Sequence, residues 1–125
     1  MDWTVEDCTD HVVVTTRGAF DAAEHRRMVE DIVTRDFWRP GTAVLFDHRE
    51  LSFGGSGYQQ MLEARENHLA HNTDIGDGKA AVVMGSRADF GLGRQFELLT
   101  EGQVDARMHI FLDPVEALAW LLADE

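Results

Sequence analysis

Two continuous apolar runs, Thr42-Ala43-Val44-Leu45-Phe46 and Ala80-Ala81-Val82-Val83-Met84, constrain this chain more than anything else in it. A strand with one face in water alternates apolar and polar residues, whereas a strand without alternation needs cover on both faces. Two such runs predict neighbouring central strands of a parallel sheet with helices on each side. The flanking segments fit that plan. Val12 to Thr16 is a β-branched run closed by Arg17-Gly18, and Trp3 to Val5 reads as a short strand joined to it through the polar turn Glu6 to Asp10. Asp21 with Glu24 has the capping-box form, and Met28, Val29, Ile32 and Val33 recur at helical spacing up to about Phe37, before Pro40-Gly41.

Between the two central runs, Ser56-Gly57-Tyr58-Gln59 again has the capping-box form. Met61, Leu62, Arg65 and Leu69 then mark one face of a second helix, which ends at Asn72 and the loop Gly76-Asp77-Gly78. A third helix starts near Asp89, carries Phe90, Phe96, Leu98 and Leu99, and stops at Gly102. Met108 to Leu112 is the last strand. Asp113-Pro114-Val115-Glu116 combines an N-cap, a proline at the first helical position and an acidic third residue, opening a helix that runs through Leu122. Strands alternating with helices imply right-handed crossovers over one sheet. The expectation is a single α/β domain over residues 1–125: a mostly parallel (mixed) five-stranded sheet with about four helices, in the order ββαβαβαβα.

Composition narrows the function. A chain of 125 residues, 44% of them hydrophobic, is long enough for one domain with a real core. Its 23 acidic against 11 basic side chains give a net charge of −12, spread over both halves. Such a surface repels phosphate backbones and anionic headgroups, so no nucleic acid is expected as a partner. No apolar run approaches the ~18 residues of a membrane span, so no integral membrane association is expected. The N-terminal Met1 to Asp7 lacks the basic start and apolar stretch of a signal peptide. Cys8 is the single cysteine, which excludes an intrachain disulfide and any multi-cysteine zinc site. These features together predict a cytoplasmic protein.

Ligands of open parallel sheets meet the carboxyl ends of the strands. Here that edge gathers Arg17, Asp47, His48, Arg49, Ser86 and Arg87, with Arg94 close by in the third helix, as a candidate surface for a partner or an anion. Familiar catalytic signatures are incomplete. Gly55-Ser56-Gly57-Tyr58 lacks the final glycine of a nucleophile elbow, and Ser56 lies too far from Phe46 for a tight strand-to-helix turn. Gly78-Lys79 lacks both the earlier glycine and the hydroxyl of a phosphate loop. In Gly91-x-Gly93, Phe96 replaces the third glycine of a dinucleotide fingerprint. His68-x-x-His71 lacks further ligands at a recognised spacing, so both are expected as solvated histidines at a helix end, with no metal bound. His48 and His109 are expected as polar groups at strand ends or faces, Trp120 in the core, and Trp38 as an exposed contact. The expectation is a protein without cofactor and without enzymatic activity.

The stretch Val44-Leu45-Phe46-Asp47-His48-Arg49-Glu50-Leu51-Ser52-Phe53-Gly54-Gly55-Ser56-Gly57 resembles the pattern of the anti-sigma-factor antagonist (STAS) domains. That resemblance implies Ser56 as a phosphorylation switch, while the residues alone read Ser56 as a helix N-cap. A resemblance over nearly the whole chain is to the bacterial SpoIIAA-like proteins. It is carried by Lys79-Ala80-Ala81-Val82-Val83, Phe90-Gly91-Leu92-Gly93-Arg94-Gln95-Phe96-Glu97, and Ile110-Phe111-Leu112-Asp113 with Glu116-Ala117-Leu118-Ala119-Trp120-Leu121. It implies a non-enzymatic α/β module, often dimeric, sharing its fold with STAS and CRAL-TRIO lipid-binding domains. Two functions follow as expectations. The first is a protein-interaction or regulatory module docking a protein partner or a second copy. The second is a carrier of a small apolar or lipid-like ligand, in a pocket around Tyr58, Phe90, Leu92 and Phe96.

Overall fold

Alternation in the central strands sorts their side chains into two layers. In the computed structural model, which describes residues 1–124, β3 (Val44–Ser52) and β4 (Lys79–Met84) lie side by side and parallel, with Val44 opposite Ala80 and Phe46 opposite Val82. Val44 and Ala80 pack with Met28 and Ile32 of α1 (Ala22–Val33), while Leu45, Ala81 and Val83 pack with Ala117 and Leu121 of α5 (Pro114–Leu122). Burial on both faces is why neither run alternates.

The sheet is ordered β1-β2-β3-β4-β5, with β1 (Asp2–Asp7) antiparallel to β2 (Val12–Ala19) and all other pairs parallel, ending in β5 (Arg107–Phe111). One face carries α1 and α4 (Arg87–Thr100), with α2 (Tyr58–Ala70) packed on both of them; the other carries α5. The five-stranded α/β architecture is as expected, with one more helix: α3 (Asn72–Ile75), a single turn between the expected end of the second helix at Asn72 and the loop Gly76-Asp77-Gly78. Glu125, the last residue of the expected domain, lies outside the described residues.

Local chemistry sets the helix ends. Asp113 Oδ1 accepts from the Val115 amide at 2.8 Å, and Pro114 fills the first turn, as the sequence predicts. Ser86 caps α4 by accepting from Asp89 N at 3.1 Å, so that helix starts earlier than Asp89. Helix α1 stops at Val33, short of Phe37, with Thr34 at its cap donating its hydroxyl to the carbonyls of Glu30 and Asp31. Trp38, expected at the surface, is instead buried, its Nε1 donating to the Asp74 carbonyl at 2.8 Å. At the far end of α5, Lys79 is buried and donates from Nζ to the carbonyls of Trp120 and Ala123, both at 2.9 Å. The only lysine of the chain thus serves the carbonyl end of a helix, where a cation is favoured.

Strand β3 runs six residues past Phe46, to Ser52. Its distal half is polar because β4 stops opposite His48, leaving Arg49 and Glu50 with β2 alone and exposed. Asp47, His48 and Arg49 are therefore strand residues, pointing alternately to opposite faces, and not a loop beyond the strand end.

Candidate functional site

Helix α2 rests on α1 and α4, and beneath it an apolar cavity of ≈ 80 Å³ opens over the middle of the sheet. That is several times the ~10–15 Å³ needed for one water. The floor is Phe46 and His48 of β3, Val82 and Met84 of β4, and Met108 and Ile110 of β5. His25 and Met28 of α1 form one wall, and Leu92, Gly93 and Phe96 of α4 the other. Met61, Ala64 and His68 of α2 form the roof, with Phe20, Phe53 and Ser56 at the carboxyl ends of β2 and β3. Gly93 explains how α4 sits so low: a Cβ there would lie 2.9 Å from Met84 Cε and 3.0 Å from Ile110 Cγ2.

Three imidazoles are the only ionisable groups in this wall. The Asn67 amide nitrogen donates to the Ala22 carbonyl at 3.0 Å, which fixes its orientation, and also lies 3.0 Å from His25 Nδ1. His25 Nδ1 is consequently an acceptor, and its ring proton sits on Nε2. His48 Nδ1 lies 2.7 Å from the buried Thr16 hydroxyl. His68 stacks at 5.5 Å on His25 and at 5.7 Å against Phe96, and its buried Nδ1 has no partner. Burial pushes the His48 and His68 values down to about 4, with the Asp47 carboxylate opposing in the first case and His71 adding to it in the second. Burial, then His68 and His48, hold His25 well below its ordinary value. All three rings are neutral at pH 7.

Several sequence expectations are corrected here. Ser56 is not the N-cap of α2. Gly55 takes a positive φ of 80°, the Ser56 amide turns back to the Phe53 carbonyl, and the helix begins one residue later with Gly57 at the cap. Ser56 stands in the cavity wall instead. Of the expected pocket residues, Leu92 and Phe96 line the cavity, whereas Tyr58 is exposed and Phe90 packs against Val82, Met84 and Ile110. His68 is buried, not solvated, because the inward face of α2 is Met61, Ala64 and His68, rotated from the face marked by Leu62 and Leu69. A histidine at core spacing with Met61 and Ala64 was the signal available for it.

The expected arginine surface divides. Arg49 is engaged by Asp47 through two bonds of 2.9 and 2.8 Å, and Arg94 by Glu97 at 2.9 Å. Arg17 on β2 and Arg87 at the start of α4 are exposed. Ser86 is spent as a helix cap. Of that group only His48 faces the cavity. On the opposite side of the sheet, α5 turns Val115, Leu118 and Leu122 to solvent, with Leu112 just before it; Val115 is 75% exposed. No group of histidine, cysteine or carboxylate side chains suited to a metal ion occurs among the described residues. No helix among them is long and apolar enough to cross a membrane.

No protein-family model matches the chain, and no curated protein matches it significantly. Among solved structures it is similar to an uncharacterised protein of the DUF3478 family with a SpoIIAA-like fold, from Shewanella loihica PV-4. The two share 16% sequence identity with a TM-score of 0.61, over 96% of this chain and 92% of that one. The fold of this protein is SpoIIAA-like.

Proposed function

We propose that this protein is a cytoplasmic binding domain, without catalytic activity of its own, that holds a small and largely apolar molecule beneath α2. The observation that carries the reading is the cavity itself, set between the sheet and three helices in the middle of the core. Cores are packed to crystal-like density, so a void of this size forfeits dispersion contacts that a ligand restores. A phosphate on Ser56 would bring up to two negative charges to that apolar wall, which joins the switch expected at this serine to release of the occupant.

Mass spectrometry of the purified protein under non-denaturing conditions tests this. A small-molecule adduct is expected on the wild type and not on Ala64→Phe, whose ring would fill the cavity from the roof. A bare wild-type mass, together with a melting temperature unmoved by apolar compounds, would sink the reading.

The exposed stripe of Val115, Leu118 and Leu122 supports a second role, docking of a protein. Asp113, Glu116 and Asp124 flank it and no basic residue lies on α5, so the partner that fits presents an apolar face with a basic rim. An amphipathic Leu/Lys helical peptide serves as the probe. It should bind the wild type and lose at least tenfold in affinity on Leu118→Ser, which leaves the charge unchanged. Equal binding to both, or a dimer in light scattering that Leu118→Ser dissolves, would rule this partner out.

A further inference from the structure

The roof of the cavity is latched by groups that take up protons, which bears on how an occupant leaves it. Resting on the ligand-binding reading above, we propose that α2 is a proton-operated lid: protons on His25 and His68, stacked across the seam between α1 and α2, part the two helices and release the occupant while the sheet and α5 stay folded.

Little else holds the helix down. Met61, Ala64 and His68 are the buried residues of α2, so one anchor in three is an imidazole. Across the seam, Gln60 Oε1 accepts from the Ala22 amide at 3.2 Å, and Asn67 Nδ2 donates to the Ala22 carbonyl and to His25 Nδ1, both at 3.0 Å. The chain enters the helix through Gly54-Gly55-Ser56-Gly57, where a Cβ on Gly55 or Gly57 would meet nothing within 4 Å, so little packing there resists a swing.

A proton undoes this latch on both rings. On His25 it would sit on Nδ1 and point at the Asn67 amide nitrogen, donor against donor. Turning the amide over to offer Oδ1 instead sets that oxygen against the Ala22 carbonyl, so one of the two bonds is lost either way. On His68 the buried Nδ1 has no partner, so the protonated ring would hold an N–H there with neither acceptor nor water while the helix stays down. The two rings are stacked with centroids 5.5 Å apart, and two positive charges at that distance in an apolar wall repel. No anion waits inside: His48 on the floor is a third imidazole, and the other floor residues and Leu92, Gly93 and Phe96 of α4 are uncharged. Arg65, three residues before His68 on α2, is positive already. Arg26, Arg27, Glu30, Glu63 and Glu66 line the outer groove of the seam in solvent, where Glu30 Oε2 lies 3.8 Å from His71 Nε2. That last pair is strengthened by acid, but with Glu30 half exposed it contributes little. Burial keeps His25 and His68 neutral at pH 7, so the latch is closed there.

Opening returns both rings to water, where each titrates near pH 6.5. Each ring then makes opening about tenfold easier at pH 5.5 than at pH 7.5. Amide hydrogen exchange, corrected for the intrinsic rate at each pH, measures that opening. Protection of residues 62–70 is expected to be lower than that of β4 at both pH values. It should fall about a hundredfold from pH 7.5 to 5.5 in the wild type, against about tenfold in His68→Phe, which keeps the ring shape but takes no proton. In parallel, a small-molecule adduct seen by non-denaturing mass spectrometry at pH 7.5 should be lost at pH 5.5. Equal protection of α2 and β4 at both pH values would overturn the lid, because the helix would then leave only when the whole molecule unfolds. Protection of α2 that does not change with pH would overturn it as well. An adduct that persists at pH 5.5 would overturn release. Absence of an adduct at both pH values would sink the ligand-binding reading, with exchange alone still deciding the lid. The comparison of α2 with β4 in the wild type decides it even where His68→Phe fails to fold.

Discussion

Acidification from pH 7 to about pH 4 is expected to remove most of the folding stability of this protein, ahead of protonation of the paired carboxylates Asp31 and Asp47. His48 and His68 take up protons near pH 4 when folded, against about 6.5 in an unfolded chain. Between those values the unfolded chain binds protons that the folded one does not, so stability falls as the pH falls. At 1.36 kcal/mol per unit, each contributes ~3 kcal/mol that is fully present above pH 6.5 and gone by about pH 4. His25 is shifted in the same direction and adds to the loss. Domains of this size are stable by roughly 5–15 kcal/mol in total, so the sum is comparable to the whole. Relief of repulsion among the −12 charges works the other way, but that effect is diffuse and screened by salt. The carboxylates act in a separate window. Asp31, held down by Arg35, and Asp47, held down by Arg49, lose their pairing only below the usual carboxylate range near pH 4. Urea midpoints at pH 7.5, 6.5, 5.5 and 4.5 should therefore drop most steeply between pH 6.5 and 4.5, and His68→Phe should flatten the drop. A midpoint unchanged down to pH 4.5 would show that the rings titrate normally and are not buried as described.

The layered fold was legible because its signals are local. Continuous apolar runs report burial on both faces without naming the neighbours, and Asp113-Pro114 announces α5 through the chemistry of its own first turn. The distal half of β3 was hidden because Asp47 to Glu50 is polar for a topological reason, the early end of β4, which a linear reading cannot see. The cavity was half legible. Leu92 and Phe96 are apolar at helical spacing, but nothing in the linear sequence marked Gly93 as the point where their helix comes down on Met84 and Ile110. The imidazoles were missed because histidine is intermediate in burial preference, so spacing alone does not separate a solvated ring from a buried one. What buries His25 and His68 is each other and Asn67, contacts between α1 and α2 set by tertiary packing.

Gly76→Ala should be the most destabilising single-methyl change in the molecule, and the loss should reach the cavity. Gly76 has φ +81°, which an L side chain rarely adopts, and a Cβ there would lie 2.3 Å from Gly41 N and 2.8 Å from the Pro40 carbonyl carbon. Those atoms are backbone and cannot swing aside as a side-chain end can. The crossing is also bonded, since the Gly41 amide donates to the Ile75 carbonyl at 2.9 Å. The positive φ costs about 1 kcal/mol and forced displacement of packed groups typically 1–3 kcal/mol more, so a loss of ~3 kcal/mol or above is expected. Gly91→Ala is the matched control: nothing lies within 4 Å of that Cβ, and alanine there should gain up to ~1 kcal/mol of helix propensity. The functional consequence follows from position. This crossing lies just before β3 and β4 and holds the register in which His48 stands opposite Met84. In a strand a slip of one residue turns every side chain to the other face, so a displaced β3 would take His48 out of the cavity floor. Chemical denaturation of both variants, with non-denaturing mass spectrometry of whatever remains folded, reads both effects. A Gly76→Ala protein as stable as the wild type would mean that the two loops do not cross as closely as described.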